Sequence, residues 1–140
     1  MRAPQLVILE ADGWLARQFR ELAADSEWLV REPRKHADAL ALVRDRRPTV
    51  LVVQVEPADD TAAAVGFVAE VHRVRPDVPT VAVSDVKLSD ADRAAWTALL
   101  TDVGARYVLF PPLSKPVLED VVSGLMAAGR RGGPADEPES

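Results

Sequence analysis

The stretch "TVLVVQVEP", Thr49 to Pro57, limits the possible folds more than any other part of this chain. Thr49 to Val53 are five β-branched or aliphatic residues in a row with no polar face, the pattern of a strand covered on both sides. Such strands belong to parallel sheets flanked by helices, where chemistry gathers just beyond the carboxyl ends of the strands. Here that end carries Gln54, Val55 and Glu56, so a neutral amide stands where a reactive group would be sought.

Four more strand-like runs, "QLVILE", "WLVRE", "PTVAVS" and "RYVLF", alternate with segments of helical spacing. Leu15, Phe19 and Leu22 mark one face of a first helix, with Asp12 placed as its N-cap. The second helix is "HADALALVRDRR", with Leu40 and Val43 inward, Pro48 closing it, and Arg44 to Arg47 suiting the negative end of its dipole. "TAAAVGFVAEVHRVR" supplies a third, stopping before Pro76. A fourth opens at Ser89 with Asp92 three residues on, an imperfect capping box, and ends at Gly104. Its apolar face is Trp96, Leu99, Leu100 and Val103. A fifth starts at Ser114 with Pro116 in its first turn and a stripe of Leu118, Val121, Val122, Leu125 and Met126. The fold class is therefore α/β, a (βα)5 doubly wound parallel five-stranded sheet. It is expected to span residues 1–128, leaving "GRRGGPADEPES", 129–140, as a disordered tail with no apolar anchor.

Composition removes several function classes. At 140 residues the chain suits one domain, and with no cysteine it has no disulfide, thiolate nucleophile or cysteine metal site. The first apolar run meets Glu10 and Asp12 too early for a signal peptide, and no run approaches the ~18 apolar residues of a membrane span. The expectation is a cytoplasmic protein with no membrane contact. A net charge of −5 with scattered arginines argues against nucleic acid as a partner. No G-x-G-x-x-G, Walker-type loop or G-x-S-x-G elbow occurs, and His36 and His72 read as surface residues without metal-ligand spacing.

The order and spacing of these elements resemble the receiver (CheY-like) domain of bacterial two-component response regulators, over residues 5 to about 128. "LVILEAD" looks like the family's first strand with its acidic pair, and "RRPTVLVVQVEP" like its third strand, which ends in the phosphoacceptor aspartate. "RPDVPTVAVSD" is similar to its fourth strand, and "GARYVLFPP" to the "GA-x-x-Y-x-x-K-P" signature around its fifth. Leu40 falls where the family's second helix has an "EAL" triplet. Carried over by position, the phosphoacceptor falls on Gln54, the magnesium-holding pair on Glu10 and Ala11, and the lysine on Phe110. Ser84, the switch hydroxyl, and Tyr107, the switch aromatic, keep the family type.

Phosphoryl transfer to a carboxylate needs an oxygen nucleophile, a divalent cation and offsetting positive charge. Gln54 is a poor nucleophile, Ala11 and Gln54 remove two oxygen ligands, and Phe110 removes the cation. The resemblance thus implies a degenerate pocket with no magnesium site, no cofactor and no enzymatic activity. Phe110 is expected to be a buried aromatic filling that pocket against Tyr107 or the stem of Gln54, and the resemblance puts a cis bond at Phe110–Pro111. Glu56 and Asp85 stand near the pocket mouth, where two acids on separate loops read first as solvated surface, and Asp59 and Asp60 are candidate substitute acceptors past the strand tip. Trp14, if exposed, would anchor a ligand or partner, whereas Trp28 and Trp96 read as core.

The implied function is a pseudo-receiver in a signalling pathway. It would act through a protein partner on the family's output face, formed by the fourth helix, fifth strand and fifth helix and including Trp96, Leu100 and Tyr107. The segment between Ser84 and Phe110 is several residues longer than in the family, which points to an altered docking surface there. A homodimer through the same face is compatible with this reading. The rival is a small-molecule sensor with its ligand in the vacated pocket. No DNA-binding domain follows in this sequence, so direct transcriptional output is not expected.

Overall fold

The dry run Thr49–Gln54 forms β3, the central strand of a five-stranded parallel sheet in the order β2-β1-β3-β4-β5. The computed structural model describes residues 3–56 and 61–131. Its elements are β1 (Gln5–Leu9), α1 (Trp14–Ser26), β2 (Leu29–Arg31), α2 (His36–Val43), β3, α3 (Thr61–Val74), β4 (Thr80–Val83), α4 (Asp90–Asp102), β5 (Tyr107–Leu109) and α5 (Lys115–Arg131). Side chains alternate along each strand, so one strand feeds two cores. Val50 and Val52 join Leu6, Ile8, Phe19, Leu118 and Met126 beneath α1 and α5. Leu51, Val53 and Val55 join Val43, Phe67, Val71 and Leu100 beneath α2, α3 and α4. This is the expected (βα)5 architecture.

Polar groups seal the amino ends of the strands. Gln5 is fully buried; its amide donates to the Leu42 carbonyl at 2.9 Å and to Thr49 Oγ1 at 3.1 Å, tying β1 to α2 and β3. Arg75, just past α3, donates to the carbonyls of Val43 at 2.6 Å and Asp45 at 2.7 Å, and forks onto Asp77 at 3.0 and 2.9 Å. The cation at the negative end of α2 therefore comes from a different element, not from the Arg44–Arg47 run. Arg47 turns instead to Asp45 and the Ala3 carbonyl. Gly104, at φ 121°, closes the α4–β5 turn; a Cβ there would lie 2.6 Å from His72 Cγ, so the position requires glycine.

Several expectations need correction. β2 is exposed throughout, because it is an edge strand with one neighbour, and Leu29 and Val30 are 38% and 37% accessible. On α4, Leu100 is fully buried and Trp96 half-buried, but Leu99 turns outward at 42% exposure. Leu40 is only partly buried, and Ala39 takes the inward place beside Val43. The cis peptide lies at Pro111–Pro112, one residue later than the resemblance suggested. α5 runs to Arg131, past residue 128, so helical backbone continues three residues beyond the boundary read from composition. The rest of the tail falls outside the described residues, as do Pro57, Asp59 and Asp60.

The guanidinium of Arg75, hydrogen-bonded to Asp77, holds that carboxyl below the usual range against a smaller opposing effect of burial. The stabilisation is therefore present above the unfolded carboxyl value of about 3.9 and is lost as pH falls through the lower folded value. Arg75→Met should destabilise the fold by about 1–3 kcal/mol in urea unfolding, since it orphans two carbonyls as well as Asp77. Asp77→Asn should narrow its deficit relative to the parent as the titration is taken into acid, and a deficit that grew in acid would refute this account.

Candidate functional site

Parallel strands deliver Glu10, Gln54, Ser84 and Phe110 to one end of the sheet, at the residues that close or follow β1, β3, β4 and β5. The chemistry at that end is set by what each side chain already bonds. Glu10 is 8% exposed, and its carboxylate reaches over the start of α1. Oε1 accepts the Leu15 N–H at 2.8 Å and Oε2 accepts the Ala16 N–H at 2.9 Å. Both oxygens thus serve orphan donors of the first helical turn, at the positive end of the helix dipole. The N-cap position itself is Gly13, with φ 82° and no side-chain bond, while Asp12 reaches only the Trp14 N–H at 3.5 Å. Capping therefore belongs to Glu10 and not to Asp12, because the left-handed turn at Gly13 folds the helix back over the end of β1.

Gln54 acts as a cross-brace. Its Oε1 accepts the Ala11 N–H at 3.0 Å, and its Nε2 donates to Asp85 Oδ2 at 3.5 Å. The same Ala11 offers its carbonyl to Arg34 Nη1 at 3.0 Å, so the β2–α2 loop joins the network. Arg34 carries no sequence signal for this role: it is one of many surface arginines until the topology sets two loops side by side. Ser84 is fully buried, and its hydroxyl accepts the Val86 N–H at 3.1 Å in a local turn. Glu56 is half-buried just past β3, and Asp85 is exposed.

Phe110 does not fill this pocket. Val108 packs on the α2–α4 core and Leu109 on the α1–α5 core, so alternation sends Phe110 to the α4 side and Tyr107 to the other. The two rings do not stack. Half-buried, Phe110 borders an open depression of about 570 Å³ lined also by Asp90, Arg93, Ala94, Thr97, Ala98 and Thr101. Trp14 is half-buried against the α1–α5 core, with its indole N–H enclosed, so it offers no exposed anchor. Leu100 is core and drops out of any contact surface; Tyr107 stays 45% exposed, joined by Leu99 and, on α5, by Val117 at 51%. Val117 was missed because it lies off the stripe that marks the buried face.

A divalent cation does not fit these residues. Magnesium asks for one or two free carboxylates in octahedral geometry. Of the three positions only Glu10 carries a carboxylate, and each of its oxygens already accepts an α1 N–H; Ala11 has no side-chain oxygen, and Gln54 offers a neutral one already hydrogen-bonded. Among the described residues no three His, Cys, Asp or Glu side chains gather as a metal would need. No helix among them is long and apolar enough to cross a membrane.

No family model matches the chain, and no curated protein matches it in sequence. Solved structures do match in fold. A CheY-like response regulator receiver domain from Methanospirillum hungatei aligns at TM-score 0.73 and 11% identity, covering 94% of this chain and all of that one. The receiver domain of the Francisella response regulator 1452 aligns at 0.66 and 16%, covering 89% and 98%. A two-component response regulator from Clostridium difficile aligns at 0.68 and 11%, covering 89% and 96%. At these identities the likeness is one of fold, the flavodoxin/CheY-like receiver fold.

The wiring makes two measurable statements. Glu10→Ala should cost about 2 kcal/mol in urea unfolding, as it uncaps α1 and leaves two donors without a partner. Gln54→Ala should cost less but should speed amide hydrogen exchange at Ala11 by more than at Leu15 or Ala16; equal effects at all three would mean that the two caps are not separate.

Proposed function

We propose that this chain is a pseudo-receiver, a receiver-like signalling module that takes no phosphoryl group and acts by protein–protein contact. The observation that carries the reading is the double commitment at the end of the sheet: Glu10 caps α1 with both carboxylate oxygens, and Gln54 braces Ala11 to Asp85. A receiver that answers to phosphate needs these positions free to hold a cation and an acyl phosphate. Here they are spent on holding loops together. Ser84, the residue whose hydroxyl would follow a phosphoryl group, is engaged within its own turn.

Contact would run through the α4–β5–α5 surface. Leu99, Tyr107 and Val117 are exposed apolar groups on these elements, and the depression between α4 and Phe110 adds a shallow seat on α4. A tyrosine with a free hydroxyl and an apolar ring suits the centre of such an interface. Among the described residues, two surface depressions lie against α4 and between α1 and β2. Partners of this kind would be proteins of a signalling pathway.

Incubation with acetyl phosphate and magnesium, followed by intact mass measurement, tests the first half. The unmodified mass is expected under conditions that label an ordinary receiver; a phosphoryl adduct on Glu56, Asp59 or Asp60 would overturn it. For the second half, a protein co-isolated from the native host should be retained by the parent and by Gln54→Ala. Tyr107→Glu and Val117→Glu should release it.

A further inference from the structure

We infer that the chain forms a two-fold dimer by antiparallel pairing of β2 with β2 of a second copy, extending the sheet from five strands to ten. This stands apart from the docking surface proposed above, since β2 and β5 lie at opposite edges of the sheet. The backbone supplies the first reason. Leu29 donates its N–H to the Pro4 carbonyl at 2.9 Å, and the register pairs Leu6 with Val30. In a parallel ladder alternate residues point their N–H and C=O to opposite sides, so those of Val30 face the open edge. The same parity sends the Trp28 carbonyl and the Glu32 N–H that way. Pro33, with no N–H to continue the ladder with β1, ends the strand after them.

The side chains favour one occupant. Trp28, Val30 and Glu32 share a face, and with Ala16, Arg20, Ala23 and Ala24 of α1 they line a groove of about 230 Å³ along the strand. An edge strand beside an apolar groove is the geometry of strand addition, in which main-chain bonds hold the guest and alternate side chains enter the groove. Arg20 and Glu32 are exposed, of opposite charge, and without an ion pair among the described residues. Pairing Val30 with Val30 of a second copy sets Glu32 opposite the other copy's Trp28, in the groove that Arg20 lines. Two equivalent Arg20–Glu32 contacts result. On the other sheet face, Leu29 lies opposite Arg31 of the second copy, whose aliphatic stem can cover it. These charges discourage an arbitrary strand and suit a second copy of this one.

The dimer would place two α4–β5–α5 surfaces at the far ends of one continuous sheet, facing away from each other. A partner array with two sites would then be held by two contacts in place of one.

Sedimentation of the full chain over a dilution series tests the inference. The expected result is a reversible dimer. Arg20→Glu should weaken it by about tenfold or more, and Arg20→Glu combined with Glu32→Arg should restore it. Val30→Pro removes the outward N–H while leaving the β1 ladder intact, and it should leave a monomer with an unchanged circular dichroism spectrum. If that variant misfolds, the charge-exchange pair decides alone. A monomer at every concentration, or a dimer indifferent to Arg20→Glu but dissolved by Tyr107→Glu, would overturn the assignment.

Discussion

Each oxygen of the Glu10 carboxylate accepts a backbone N–H from the first turn of α1, and this pair of bonds fixes the junction on which the end of the sheet depends. The left-handed turn at Gly13 brings the first turn of α1 back over the end of β1, and the buried carboxylate is what its donors find there. Everything else at this end of the sheet is arranged around a fixed β1–α1 junction. Gln54 can bond the Ala11 amide because that amide is held in place, and Arg34 can take the opposite carbonyl for the same reason. The result is a set of loops tied to each other.

Much of the fold could be read from the chain because its signals are local or periodic. The unbroken apolar run of β3, the stripe of α5 and the Ser89 cap, whose hydroxyl accepts the Asp92 N–H at 3.1 Å, each depend on residues close in sequence. What was not legible depends on pairs far apart. Arg75 serves carbonyls some thirty residues upstream, Arg34 serves one 23 residues away, and nothing in composition or spacing links them. Phe110 shows a subtler limit. Its identity was evident, but its direction follows from the parity of a three-residue edge strand, and one step of parity separates a filled pocket from a surface seat. Leu99 and Leu100 make the same point on α4, where neighbouring leucines fall on opposite sides of the burial boundary.

The likeness to receiver domains of very low sequence identity is what layered packing leads one to expect. A five-stranded parallel sheet with helices on both faces asks for apolar strands, short loops and a right-handed crossover, and many sequences meet those terms. On the reading proposed above, function depends on the few residues at the strand ends and on the surface rather than on the scaffold. Reuse of the scaffold with a rewired end is therefore consistent with a role in which the surface matters and the pocket does not.

The brace at Gln54 also shapes how such a chain can change over generations. Replacing Gln54 by aspartate shortens the side chain and removes the amide donor, so the tether to Asp85 is lost and the reach to Ala11 is reduced. On the reading proposed here, nothing is gained in exchange, because Glu10 remains bound to α1 and Phe110 still supplies no charge. A single step back at Gln54 thus loses a brace and gains no chemistry. Losses wired into one another in this way act as a ratchet, and they leave the surfaces, rather than the old pocket, as the part of the molecule still free to vary.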